Sequence, residues 1–312
     1  MPTTRRTFIS AAGLTGFAGM LPAAAAVSQD PRGPARYKPS DILRISFLTD
    51  SHLPNGNDIP RLSNDQFHHQ ERIRAAFDLA NQFKPDAFVF GGDNVFAVDQ
   101  SVDGGHLEAN ARAQFANWKA LVKEKVRVPH HSVIGNHDLW LVHPEGLDQK
   151  SLAIEGYEMP SRYYSWKMKG WKFLMLDVFG ITGSPLDKEQ WDWLVAELKE
   201  EMPTCIVTHA PILSVTGQLC GGTLGASNEW RELFYTCPHV TLALSGHNHL
   251  VDLCKIDKVT YICGGAVSGG WWEGAYFHFP PVFTNFVLYP DGTFAHNFVE
   301  YDGPSSKFKQ MK

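Results

Sequence analysis

An α/β fold, a mainly parallel sheet faced by helices, is predicted by two features of this 312-residue chain. Apolar runs of strand length alternate with segments of helical period, and five of those runs end in residues bearing nitrogen or oxygen ligand groups. The alternation sets the architecture, because strand–helix–strand connections lay strands parallel and cover the sheet with helices. The strand ends locate the chemistry, since α/β sheets bind ligands outside the carboxyl ends of their strands.

The elements follow in order. Ile42 to Thr49 is an apolar run of strand length, and residues 66–83 set Phe67, Ile73, Phe77, Leu79 and Ala80 at helical spacing. Ala87 to Phe90 reads as a second strand, residues 108–124 as a second helix and Ser132 to Ile134 as a third strand. Residues 162–178 read as a hairpin turning at Lys169-Gly170. Residues 187–201 form an amphipathic helix through Trp191, Leu194, Val195 and Leu198. Cys205 to Val207 and Val240 to Leu244 are further strands; residues 250–262 suggest a second hairpin, and 282–300 a third around Pro290-Asp291-Gly292. With no internal repeat and no second linker, residues 41–312 are read as one domain.

The first forty residues differ from the rest. Arg5-Arg6 before Thr7-Phe8-Ile9 resembles a twin-arginine export signal, and no charge follows Arg6 until Asp30. Ala23 to Ala26 suits an Ala-x-Ala cleavage site, so residues 1–26 are read as a signal peptide. An uncleaved anchor is the alternative, because the uncharged run is long enough to span a bilayer. Residues 27–40, with Pro31, Gly33, Pro34 and Pro39, read as a linker. The expectation is a protein folded and loaded with its cofactor in the cytoplasm, then exported to the periplasm. No later 18-residue apolar run occurs, so no stable membrane insertion is expected after cleavage.

Hydrophobic residues at 44% and charged residues at 20% are ordinary for a globular chain and exclude collagen-like, disordered and heptad-repeat readings. A net charge of −5 argues against a duplex nucleic-acid partner, which needs a basic face. It does not exclude an anionic substrate, because a metal-centred pocket is locally positive inside an acidic protein. None of the five cysteines forms a Cys-x-x-Cys pair, so a thiolate zinc site is not expected. Cys205 reads as core; Cys220–Cys237 or Cys254–Cys263 are the candidate bridges if the compartment is oxidising.

The strand ends carry the ligand-type residues. They read Asp50-Ser51-His52, Gly91-Gly92-Asp93-Asn94, Gly135-Asn136-His137-Asp138, His209, and Gly246-His247-Asn248-His249. In extended backbone Asp50 and His52, two apart, point to one face, as do His247 and His249. Gly92, Gly135 and Gly246 permit sharp turns or close approach. Two carboxylates, one amide and several imidazoles make a mixed nitrogen/oxygen set that suits Fe, Mn or Zn and not Ca²⁺. Singly each motif has a structural explanation, a turn or a core histidine. The ordered combination does not.

That series resembles the calcineurin-like metallophosphoesterase superfamily, with motifs running from residue 50 to 249. The resemblance implies a four-layer sandwich of two mixed β-sheets flanked by helices, holding two divalent or mixed-valence transition-metal ions. Carried onto matching positions, it implies Asp50, His52 and His249 on one ion, Asn136, His209 and His247 on the other, and Asp93 bridging both. His137 is implied to stand over the substrate. Purple acid phosphatases carry a ligating Tyr three residues after the bridging Asp; here Phe96 stands there and cannot ligate. The chain therefore resembles the phosphodiesterase-like and general phosphoesterase branches, and no tyrosinate-to-iron colour is expected.

The residue types suit such chemistry. Two divalent ions, the Asp50 and Asp93 carboxylates and a bridging hydroxide sum to about +1, which attracts a phosphate ester. A hydroxide so held would be expected to attack phosphorus in line. His137 stabilises the phosphoryl oxygens or protonates the leaving alkoxide. Asp138 either orients His137 or is a structural turn carboxylate.

A small phosphate ester is the expected substrate. No Arg or Lys adjoins a ligand motif, which favours diesters slightly; a phosphomonoesterase of acid-phosphatase or nucleotidase type is the alternative. A non-catalytic metal-binding scaffold is the remaining class, but it predicts lost ligands or a lost His137, and all are present. Trp140 and the Gly-rich aromatic segment 264–279, with Trp271-Trp272, either wall the pocket or pack the outer layer. Arg61, Glu273 and His278 are further substrate-contact candidates, while His68, His69, His130 and His131 are read as off-site.

Overall fold

The computed structural model describes residues 36–55, 69–98, 107–140, 149–179, 186–224 and 227–301. The signal-peptide reading, most of the linker, Arg61 and His68 lie outside them. The strands are β1 (Leu43–Leu48), β2 (Ala87–Phe90), β3 (His130–Ser132), β4 (Tyr164–Met168), β5 (Trp171–Met175), β6 (Thr204–Val207), β7 (Val240–Ser245), β8 (Val251–Ile256), β9 (Val259–Gly264), β10 (Val282–Leu288) and β11 (Phe294–Glu300). The helices are α1 (His69–Gln82), α2 (Leu107–Lys125), α3 (Ser151–Gly156), α4 (Lys188–Glu197), α5 (Gly217–Cys220) and α6 (Ser227–Thr236).

Two mixed sheets result, ordered β11-β10-β1-β2-β3 and β4-β5-β6-β7-β9-β8. β1, β2 and β3 run parallel, as do β5, β6, β7 and β9, while hairpins β4–β5, β8–β9 and β10–β11 form antiparallel pairs. Side chains alternate along the second sheet. Phe173, Met175, Cys205 and Val207 join the core shared with the first sheet, and Leu174, Leu176 and Ile206 join a second core with Leu194, Trp230 and Phe234 of α4 and α6. On the first sheet, Phe77 of α1 and Trp118 of α2 pack on Phe90 at ring distances of 5.9 and 5.1 Å. Helices thus cover both outer faces, giving the four layers expected.

Local physics accounts for the boundaries. The β4–β5 turn places Lys169 at φ 46° and Gly170 at φ 81°, the left-handed pair a two-residue hairpin requires. Asp187 caps α4 by accepting from Gln190 N at 2.9 Å. The helix ends at Glu197, short of the expected residue 201. Strand β3 stops at Ser132, earlier than expected, although Val133 and Ile134 remain buried and Val133 N still donates to Phe90 O at 3.0 Å. Helices α3, α5 and α6 are additions to the sequence reading.

All five cysteines are free thiols, and Cys205 is core as expected. Among the described residues, no helix is long and apolar enough to cross a membrane.

Candidate metal centre

The five strand ends converge at the carboxyl edges of both sheets. Three groups of candidate ligand atoms lie within 4.8 Å of one another: Asp50, His52 and His249; His52, Asp93 and His137; and Asp93, His209 and His247. Asp50 Oδ1 lies 3.9, 3.9 and 3.3 Å from Nε2 of His52, His209 and His249, and Asp93 Oδ2 lies 3.7 and 3.2 Å from Nε2 of His52 and His209. Asn136 stands in the turn after β3, and its Oδ1 is buried without a hydrogen-bond partner.

This convergence is not the extended alternation read from the sequence. Asp50, His52, Asp93, His247 and His249 have φ of 53°, 41°, 50°, 68° and 58°. Left-handed backbone is uncommon outside glycine and collects at functional sites. It turns each strand end sharply, so side chains two apart meet at one point. The glycines act through close approach as much as through φ. A Cβ at Gly135 would lie 2.1 Å from Asp93 Oδ1, and one at Gly246 would lie 2.2 Å from Asp50 Oδ2.

Backbone carbonyls fix the imidazoles. His137 Nδ1 and His52 Nδ1 bond Phe96 O at 2.7 and 3.3 Å, His209 Nδ1 bonds Gly91 O at 2.7 Å, and His249 Nδ1 bonds Gly269 O at 2.5 Å. Each Nδ1 therefore carries a hydrogen, which leaves each Nε2 as the nitrogen turned to the centre, the arrangement that a backbone carbonyl behind the ring imposes on a metal-binding histidine. Phe96, noted in the sequence only for its non-ligating ring, works through its carbonyl. Gln114 holds it there, accepting at Oε1 from Phe96 N and Ala97 N at 3.0 and 3.1 Å.

Electrostatics matches a cation site. Burial alone would raise Asp50, but His209 and His249 outweigh it and hold the carboxyl below its usual range. Asp93 is likewise held low against its burial, chiefly by His209. Burial opposes a charge on His209, yet Asp93 and then Asp50 push it up to about 10. A metal ion at Nε2 would take the place of that proton. Burial, then His209, lowers His247 to about 4; burial, then His137, lowers His52. Lone pairs, buried carboxylates and the unpartnered Asn136 Oδ1 together fit transition-metal ions.

Asp138 does not orient His137. Its Oδ2 accepts from Asp93 N at 2.9 Å and Gly135 N at 2.7 Å, and its Oδ1 accepts from Tyr157 Oη at 2.5 Å. It is the structural carboxylate of its turn. Burial and then Asp93 raise it to about 6.

A profile of the calcineurin-like phosphoesterase domain matches residues 43–265. The chain belongs to that family. As a calcineurin-like phosphoesterase it is a metal-dependent hydrolase of phosphate esters. Its fold is shared with a dimetal phosphatase from Danio rerio at TM-score 0.58 and 14% identity, over 79% of this chain and 93% of that one. It is shared too with GAP50, the anchor in the inner membrane complex of Plasmodium, at TM-score 0.55 and 14% identity, over 83% and 84%. No curated protein matches the phosphoesterase significantly in sequence.

Around the centre, Trp140 is buried at 2% exposure, whereas Trp271 is half-buried against the ligand-type histidines. His69 is core, and His131 stacks on Trp166 at 4.0 Å, away from the centre. His278 is exposed. The carbonyls of Gly91, Phe96 and Gly269 were missed in the sequence because a backbone acceptor leaves no mark on residue type.

Proposed function

We propose that this phosphoesterase holds two divalent transition-metal ions and hydrolyses small phosphate esters, with diesters preferred. The observation that carries the proposal is the set of four imidazoles whose Nδ1 hydrogens are committed to carbonyls, three of them with Nε2 turned to Asp50 and Asp93. Asp50, His52 and His249 would hold one ion, Asn136, His209 and His247 the other, with Asp93 between. When bound, the ions supply Lewis acidity and bring the pKa of water toward neutrality.

The chain's own residues divide the remaining work. Imidazoles that bind an ion through Nε2 would do so in the neutral form, so only Asp50 and Asp93 would offset the metal charge. His137 is half-buried; in its imidazolium form, with Nδ1–H held by Phe96 O, its Nε2–H is the donor from which a proton would pass to the leaving oxygen or a hydrogen bond would reach the phosphoryl group. The diester preference is supported by the charge balance. Among the described residues, the ion-pair partners of Asp50 and Asp93 are all histidines, and Lys150 and Arg162 both pair with Asp177. A dianionic monoester would call for an added cation that a diester does not need.

The deciding assay reconstitutes the full chain with Mn²⁺, Zn²⁺ or Fe²⁺ and follows initial rates on bis(4-nitrophenyl) phosphate and 4-nitrophenyl phosphate. Metal-dependent turnover favouring the diester is expected. Flat progress curves with every metal favour a scaffold, and faster monoester cleavage overturns the preference. Asp93→Ala is expected to lose bound metal and rate together. Residues 1–26 are proposed as a twin-arginine signal, 27–40 as a linker and 41–312 as one domain acting in the periplasm. Replacing both Arg5 and Arg6 by Lys in a reporter fusion should stop export; unimpaired export rejects that route.

A further inference from the structure

The segment after β9 is built into the candidate centre, not laid beside it. Val267 N and Ser268 N donate to Thr49 O and Asp50 O at 2.9 and 3.1 Å, and Gly269 O accepts from His249 Nδ1. Trp272 is fully buried; its Nε1 donates to His52 O at 2.9 Å, and its carbonyl accepts from Arg72 at 2.9 Å. The segment therefore bonds to three ligand-type residues or their immediate neighbours, and Trp272 anchors it.

That anchoring holds a set of rings in the open. Trp271 lies 4.3 Å from the His249 ring and 5.8 Å from the His52 ring. Tyr276 stands perpendicular to it at 5.4 Å and 84°, and 5.7 Å from His249. Phe277 follows at 4.8 Å and 87° and is 50% exposed. Trp271, Trp272, Phe277 and His278 all take left-handed backbone, with φ of 49°, 71°, 44° and 69°. Bulky residues adopt that conformation at a cost, and such strain collects at ligand clamps. Packing explains Trp272 but not three neighbouring aromatics left half-covered at a corner.

We propose that Trp271, Tyr276 and Phe277 form a preset aromatic shelf that takes one planar, π-bearing arm of the phosphate ester, on the His52/His249 side of the centre. The proposal rests on the phosphoesterase reading above and names its substrate class. A flat ring stacks on one wall of a perpendicular corner and meets the other edge to face, the two arrangements aromatic pairs prefer. Trp271 and Phe277 thus act on specificity.

Calorimetric titration of the Mn²⁺-loaded full chain with phenylphosphonate and cyclohexylphosphonate tests this. The two match in charge and nearly in size and differ in planarity. Phenylphosphonate should bind roughly 3–10-fold tighter. Trp271→Leu should erase that preference with the metal content unchanged, and Phe277→Ala, at an exposed position, should reduce it. A parallel pair, uridine 5′-monophosphate against ribose 5-phosphate, separates a nucleobase arm from an aryl group directly on the ester oxygen. Equal affinities within both pairs, or no binding, overturn the shelf. A retained planar preference with no turnover of bis(4-nitrophenyl) phosphate rejects the hydrolytic reading and leaves the shelf standing.

Discussion

His52 and His249 meet nitrogen to nitrogen, with their Nε2 atoms 3.0 Å apart and each Nδ1 bonded to a backbone carbonyl. A metal ion is a cation that both nitrogens can bind at once, so metal is expected to stabilise the fold. Each ion held at a hundred times its Kd adds about 2.7 kcal/mol, or roughly 5 °C in Tm for a domain of this size. A chelator should lower Tm by that much per ion, and Mn²⁺ or Zn²⁺ should restore it where Ca²⁺ does not. A melting curve indifferent to chelation would remove the metal from the account.

Gly246→Ala should cost metal affinity more than it costs fold. Its Cβ would fall 2.0 Å from Thr49 Oγ1 and 2.2 Å from Asp50 Oδ2, and Thr49 Oγ1 donates to that same oxygen at 2.6 Å. Relief requires Asp50 to swing away from His249. We expect metal content to drop by at least one ion per chain, read by elemental analysis, with far-ultraviolet circular dichroism unchanged. Full metal loading would show that the strand ends give way more easily than their packing implies.

The site was legible because its ligands are side chains at the ends of apolar runs, a pattern one sequence displays. The conformation that joins them was not. Nothing in Asp50-Ser51-His52 signals φ of 53° and 41°, since Asp and His also occur in extended backbone. The carbonyl of Phe96 escaped for the same reason. In the fold, the Lys169-Gly170 hairpin was readable from its turn chemistry. Helix α6 was readable but missed: Trp230, Leu233 and Phe234 are spaced for one buried face, yet polar neighbours hide a stripe only ten residues long. Which strands share a sheet is a long-range matter, and there the family resemblance supplied what periodicity could not.

Stability should fall as the solution is acidified from about pH 6.5 to 4, in part through His131. Its ring stacks on Trp166 at 4.0 Å, and Trp166 stacks in turn on Phe173 at 4.0 Å. Burial, then His130, lowers His131 to about 4. Between that value and the ordinary 6.5 the unfolded chain binds a proton that the folded one refuses, so the contribution is whole above pH 6.5 and declines below it. Urea midpoints across this range should fall, and His131→Phe should flatten the decline while keeping the stack. An unaltered slope would assign the acid sensitivity to other groups.

Asp138 and His137 are adjacent, and their variants should separate stability from rate. Asp138→Ala strands the N–H groups of Asp93 and Gly135 and the Tyr157 hydroxyl in a buried turn. At about 1–3 kcal/mol for each orphaned group, the loss is expected to be roughly 3 kcal/mol or more. Asp138→Asn keeps an acceptor for both N–H groups, and its amide can donate to Tyr157 Oη. It should fold and retain most of its rate, because His137 Nδ1 bonds Phe96 O and not Asp138. His137→Ala removes no ligand from either trio assigned to the ions. It should keep metal and Tm while kcat falls by about 10²–10⁴. Stability by urea titration, metal by elemental analysis and kcat on the preferred ester, measured on all three variants, decide the matter. Should Asp138→Asn lose rate as steeply as His137→Ala at unchanged stability, the carboxylate acts in the chemistry after all, and its assignment to the turn is wrong.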